Sequence, residues 1–97
     1  MKEENLIPLQ QLCRHYMVEM SFFDRLNEYG LIEIRSIKKS PCIHPDKIHD
    51  LEKMIRLHQE LDINFEGIDT IFNLLEKIEA LQTELMALKN RLRLYEK

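Results

Sequence analysis

Between Leu74 and Lys97, apolar side chains recur at Leu74, Ile78, Leu81, Leu85, Leu88, Leu92 and Tyr95, in alternating steps of four and three residues. No Gly or Pro interrupts this stretch, and Glu, Gln, Lys, Arg and Asn fill most other positions. The spacing predicts a helix of about six turns with one narrow apolar stripe. Burying each such side chain is worth roughly 1.5 to 3 kcal/mol, and an isolated helix has nothing to bury it against. Either the helix folds back on its own domain or two chains pair through it; pairing is the reading we adopt. Residues 74–97 are then a C-terminal dimerisation helix and residues 1–73 the head that it carries.

A chain of 97 residues makes one small domain, and a domain of that size buries only about 60 to 70% of its unfolded surface, so dimerisation would add burial that the head lacks. Fourteen Lys and Arg against seventeen Asp and Glu give a net charge of −3, with no basic tail. That balance withholds the attraction that supplies most non-specific DNA affinity and suits a positively charged protein partner. Two glycines, Gly30 and Gly67, leave no phosphate-cradling loop. Apolar runs are far shorter than a membrane span, and the start Met1-Lys2-Glu3-Glu4 does not resemble a signal peptide. A cytoplasmic location is expected, with Cys13 and Cys42 as reduced thiols.

Leu6 to Leu9 reads as a brief extended segment, followed by a short helix whose Leu9, Leu12, Cys13 and Tyr16 share a face. A second helix is expected over 21–29, apolar at Phe22, Phe23, Leu26 and Tyr29 and ended by a left-handed Gly30. Asp24, Arg25, Asn27 and Glu28 are left for solvent or a partner. Leu31 to Ile37 alternates as a strand, Lys38 to Pro41 makes a turn, and Cys42-Ile43-His44 returns as the second strand of a wing, with Pro41 arguing for an edge position. Pro45 suits the first position of a third helix that runs to Leu61, with Ile48, Leu51, Met54, Ile55, Leu57, His58 and Leu61 on its buried face. Asn64 as N-cap, Glu66 in the first turn and an Ile63–Ile68 hydrophobic staple start a fourth helix near Phe65. Ile68, Ile71, Phe72 and Leu75 of that helix are expected to pack on the head before it continues into the heptads.

Signs of chemistry are few. Cys13-Arg14-His15 and Cys42-Ile43-His44 repeat a Cys-x-His pattern, but residues two apart on a helix point about 200° away from each other, so Cys13 and His15 would not converge on a metal. No metal or cofactor is expected. His44-Pro45-Asp46 spells the tripeptide used by J-domains, yet a hairpin turn precedes it here instead of their long basic helix. Helix initiation by Pro45 and Asp46 accounts for it. His58 reads as a hydrogen-bonded core histidine, because no Ser, Cys or Asp stands at a spacing that would build a catalytic triad with it. Nothing recommends an enzyme.

The succession of extended segment, two helices, wing, third helix and long dimer helix resembles the MerR-like winged helix-turn-helix. Gly30-Leu31-Ile32 and the stretch Arg56 to Ile68 carry the likeness, and within that superfamily they most resemble the CbpM-type chaperone modulators. The resemblance implies a mainly α fold, a homodimer through the C-terminal helix, and binding to the J-domain of a CbpA- or DnaJ-like co-chaperone that blocks its productive interaction with the DnaK chaperone. Asp24, Asn27, Glu28, Arg56 and Glu60 are taken as the J-domain-facing residues, from expected exposure and charge. The alternative is a MerR-like DNA-binding transcriptional regulator. Such a regulator usually has Arg near the position of Asp24, and here only Lys38 and Lys39 at the wing tip favour DNA. The chain departs from the family pattern at Met17, where Gly is frequent, and at Cys42 or His44, where the returning wing strand usually has an aromatic residue.

Overall fold

The computed structural model describes residues 5–96. Its elements are β1 (Ile7–Pro8), α1 (Leu9–Tyr16), α2 (Met20–Glu28), β2 (Arg35–Ile37), β3 (Ser40–Ile43), a 3-10 turn (Pro45–Lys47), α3 (Ile48–Leu61) and α4 (Phe65–Tyr95). The strands form one antiparallel sheet in the order β1-β3-β2. Leu9 and Leu12 of α1, Phe22, Phe23 and Leu26 of α2, and Leu51, Met54 and Ile55 of α3 bury their faces together, with Ile32, Ile43 and Ile68 completing the core.

The turn between α1 and α2 closes on Met17, which adopts the left-handed region at φ 60° and ψ 46°. This is the position where glycine was the family expectation, and a side chain there costs about 1–2 kcal/mol. α2 ends as the sequence pattern implies. Gly30 has φ +75°, its N–H donates to the Asn27 carbonyl at 3.0 Å, and the Leu31 N–H reaches back to the Leu26 carbonyl at 2.9 Å. These two bonds make a Schellman cap.

The wing differs from the sequence reading in three respects. Of the strand expected over Leu31 to Ile37, only Arg35–Ile37 pairs. Ile32 turns into the core, and the Ile34 N–H is taken by the Asn27 side-chain oxygen at 3.3 Å, so this stretch is tied to α2 and not to a ladder. The turn contains two residues and not four: Lys38 and Lys39 have φ of 51° and 68°, and Ile37 stands opposite Ser40. Two positive φ values are what a type I′ hairpin needs. Pro41 therefore lies within β3, the central strand. A two-residue turn makes Ile37 and Ser40 the hydrogen-bonded pair and Ser36 and Pro41 the non-bonded one, so the missing N–H of Pro41 would point toward β1. β1 pairs only as far as Cys42, and no ladder bond is lost.

Pro45 opens a 3-10 turn ahead of α3. The His44 ring caps it, Nδ1 accepting from the Asp46 N–H at 3.1 Å, which gives the His-Pro-Asp tripeptide its role in helix initiation. The Tyr16 hydroxyl ties α1 to α3 by donating to Glu52 at 2.6 Å. Burial, then this hydrogen bond and the charge of Glu52, push the Tyr16 phenol up to about 12. An unfolded tyrosine ionises near pH 10, so the Tyr16 contribution to stability is complete below pH 10 and is lost as pH rises from 10 to 12. Urea titrations at several alkaline pH values should show wild type losing stability more steeply over that window than Tyr16→Phe; parallel curves would count against it.

At the start of α4 the Asn64 side chain accepts from the Gly67 N–H at 2.8 Å. A Cβ on Gly67 would come within 2.7 Å of Ile63 Cγ2 and 3.1 Å of Asn64 Oδ1, so the cap and the staple both require the small residue. Ile68 is buried, Ile71 and Phe72 are half-buried, and from Asn73 onward every described residue is exposed. Leu75 and Leu61, expected against the head, are 38% and 64% exposed because they line an open groove between α3 and α4. Among the described residues no helix is long and apolar enough to cross a membrane.

Candidate functional site

Asp24, Asn27 and Glu28 stand at i, i+3 and i+4 of α2 and are all exposed, opposite the buried Phe22, Phe23 and Leu26. Two of the three have internal partners. Asn27 holds the Ile34 N–H, and Glu28 pairs with Arg25 Nε at 3.5 Å. Among the described residues Asp24 enters no ion pair. It faces Cys13, whose thiol is pushed up first by burial and then by the Asp24 charge.

Arg56 and Glu60 are exposed one turn apart on α3. They flank a groove of about 370 Å³ whose apolar wall is Leu57, Leu61, Ile71, Phe72 and Leu75. Asp24, Asn27 and Glu28 line no part of it, so the five residues grouped by expected exposure and charge fall into two sets, one on α2 and one at the α3–α4 groove.

A second cleft, which sequence reasoning missed, opens where the α1–α2 turn meets the end of α3 and the start of α4. It measures about 460 Å³ and is lined by Met17, Val18, Glu19, Ser21, Phe22, Arg25, His58, Gln59 and Phe65. Three rings form its floor: Phe22 lies 5.2 Å from His58 and 5.6 Å from Phe65, and His58 lies 4.9 Å from Phe65, centroid to centroid. His58 sits at the edge of the core, its Nδ1 bonded to the Ile63 carbonyl at 3.0 Å, as its apolar setting implied. The Arg25 guanidinium lies 4.7 Å from the Phe65 centroid and 5.8 Å from that of Tyr29, a cation–π stack. The Tyr29 hydroxyl, the helix backbone and the Arg25 charge hold the Glu66 carboxyl below its ordinary value. Phe22, Arg25 and Tyr29 at i, i+3 and i+7 were a visible signal; their closure by Phe65 was not.

Cys42 is buried with its thiol 3.6 Å from the Ser40 carbonyl, while His44 is exposed and capping. Each is engaged with a different partner, and among the described residues no group of three or more His, Cys, Asp or Glu is placed to hold a metal ion. On α4 the seven heptad residues Leu74, Ile78, Leu81, Leu85, Leu88, Leu92 and Tyr95 are 48% to 81% exposed. They form a continuous apolar stripe that the single chain leaves uncovered.

Two helices joined by a tight turn, a hairpin wing, a third helix and a long projecting helix define a winged helix-turn-helix protein. Residues 7–90 match the family described as "MerR HTH family regulatory protein", and the chain belongs to that family. It is similar to the chaperone modulatory protein CbpM of Pseudomonas entomophila (strain L48), with 28% identity across 89% of this chain and 86% of that protein. The proteins of the same name from Pseudomonas putida strains W619 and KT2440 are 25% and 26% identical over the same shares. Both levels of the resemblance read from the sequence are met by these matches. No solved structure was found to match the chain.

Proposed function

We propose that this chain is a chaperone modulator that binds the J-domain of a CbpA- or DnaJ-like co-chaperone and keeps it from productive contact with the DnaK chaperone. The observation that carries the reading is the sign of α2. In a winged helix-turn-helix that reads DNA, the second helix of the motif enters the major groove. Here its outward face presents Asp24 and Glu28, and its one cation, Arg25, lies over Phe65. Such a face repels phosphate and suits the basic helix that J-domains offer to DnaK. The relatives named chaperone modulatory protein CbpM support the broader part of this role, that of a chaperone modulator. In this reading α4 pairs two chains through its heptad seam, each dimer carries two heads, and Asn27, Arg56 and Glu60 border the contact.

Calorimetric titration of the J-domain from the same organism tests the acidic face. Asp24→Lys combined with Glu28→Lys is expected to weaken binding about tenfold or more by setting like charges against each other. Unchanged affinity would remove this face from the reading. A DNA-binding role rests on the exposed Lys38 and Lys39 at the tip of the wing; it would be favoured by salt-sensitive retention on duplex DNA that charge reversal at these two lysines abolishes.

A further inference from the structure

We infer that the aromatic cleft between the α1–α2 turn, α3 and the start of α4 is a docking site for an apolar side chain presented from a basic helix of a protein partner. The inference rests on the reading of the head as a J-domain binder and deepens it by placing the apolar anchor of the contact. The floor is aromatic: Phe22, His58 and Phe65 pack 4.9 to 5.6 Å apart and border an open cavity of about 460 Å³. Aromatic pockets with a charged border are where protein interfaces concentrate their binding energy.

Met17 stands at the lip. Its side chain is 82% exposed, on a backbone held at φ 60° that glycine would adopt at lower cost. A flexible thioether held in water beside an apolar cleft is an adaptable contact surface.

Charge selects the occupant. Arg25 lies over Phe65 and is matched by Glu28 at 3.5 Å. Glu66 stands near enough to feel the Arg25 charge, and Glu19 lines the cleft itself. Arg25 and Glu19 balance each other in the lining, and Glu28 and Glu66 beside it bring the local count to one cation against three carboxylates, so nucleic acid and acidic ligands are disfavoured while Lys or Arg beside an apolar anchor is attracted. Asp24 does not line the cleft, so a basic helix lying along α2 would meet the acidic face and the pocket as separate contacts.

The test uses the full chain with two probes, the J-domain from the same organism and a synthetic Lys/Leu amphipathic helix. Ring resonances of Phe22 and Phe65 are followed by NMR and affinities by calorimetry. Met17→Gly and Glu19→Lys alter exposed residues only, and Met17→Gly should raise the melting temperature by relieving the left-handed strain. Both probes are expected to shift the two rings, and each variant to weaken binding several-fold. If the J-domain binds all three proteins equally and leaves the rings unmoved, the cleft assignment is overturned and the J-domain reading stands. If the J-domain fails to bind while the synthetic helix still moves the rings and responds to both variants, the J-domain reading is overturned and the cleft stands. If neither probe moves the rings, the cleft is not a docking site.

Discussion

In the proposed dimer, replacing Leu85 by Asp is expected to leave only monomer. Leu85 is the middle of the seven seam residues and is 54% exposed on the single chain, so in the proposed pairing its burial comes from the second copy. Leaving a carboxylate buried without a partner costs about 3 to 5 kcal/mol, and a two-fold pair would bury it twice. The dimer dissociation constant should rise at least about a thousandfold, since each 1.4 kcal/mol is a factor of ten. The head should not notice, because every described residue from Asn73 onward is exposed and none belongs to the core. Sedimentation velocity measures the association and circular dichroism the head. A Leu85→Asp protein that remains a dimer would show that α4 is not the contact.

The second large effect is expected at the opposite extreme of burial. Phe23 is fully buried, and it packs edge-on against Phe22 at 5.8 Å with 74° between the rings. Truncation removes the ring and leaves a cavity, so Phe23→Ala should cost about 3 to 5 kcal/mol, a large part of the 5 to 15 kcal/mol typical of a domain. Urea unfolding should place its midpoint far below that of wild type or find no folded state. A loss under about 1 kcal/mol would mean that the core is not organised around this side chain. The two substitutions separate two settings of apolar residues in this chain: Phe23 is fully buried in the head, whereas Leu85 is exposed on the single chain and is proposed to meet a second copy.

What was legible in the sequence was local. Asn64 with Ile63 and Ile68 marked the start of α4 because a cap and a staple lie within six residues, and Gly30 marked the end of α2 because only a few residues tolerate its backbone. The heptad stripe was legible for the same reason. What escaped depends on residues far apart in the chain. Pro41 is tolerated in the central strand because β1, more than thirty residues earlier, stops opposite Cys42. Leu31 to Ile34 alternates like a strand but leaves the ladder because Asn27 captures the Ile34 N–H. That bond also gives Asn27 a structural task its exposed position did not reveal. The aromatic cleft needs Phe22 and Phe65 to meet, and no spacing rule joins residues so distant. Expected exposure and charge grouped Asp24 and Glu28 with Arg56 and Glu60, whereas the fold distributes them between α2 and the α3–α4 groove.

In the proposed role the head occupies a J-domain and so denies it to DnaK. The most direct measurement is J-domain-stimulated ATP turnover by DnaK as this chain is titrated in. The stimulated rate should fall toward the basal rate as the chain approaches one head per J-domain, and excess J-domain should restore it, with basal DnaK turnover unchanged throughout. Full stimulation at a large molar excess of folded, dimeric protein would contradict the account.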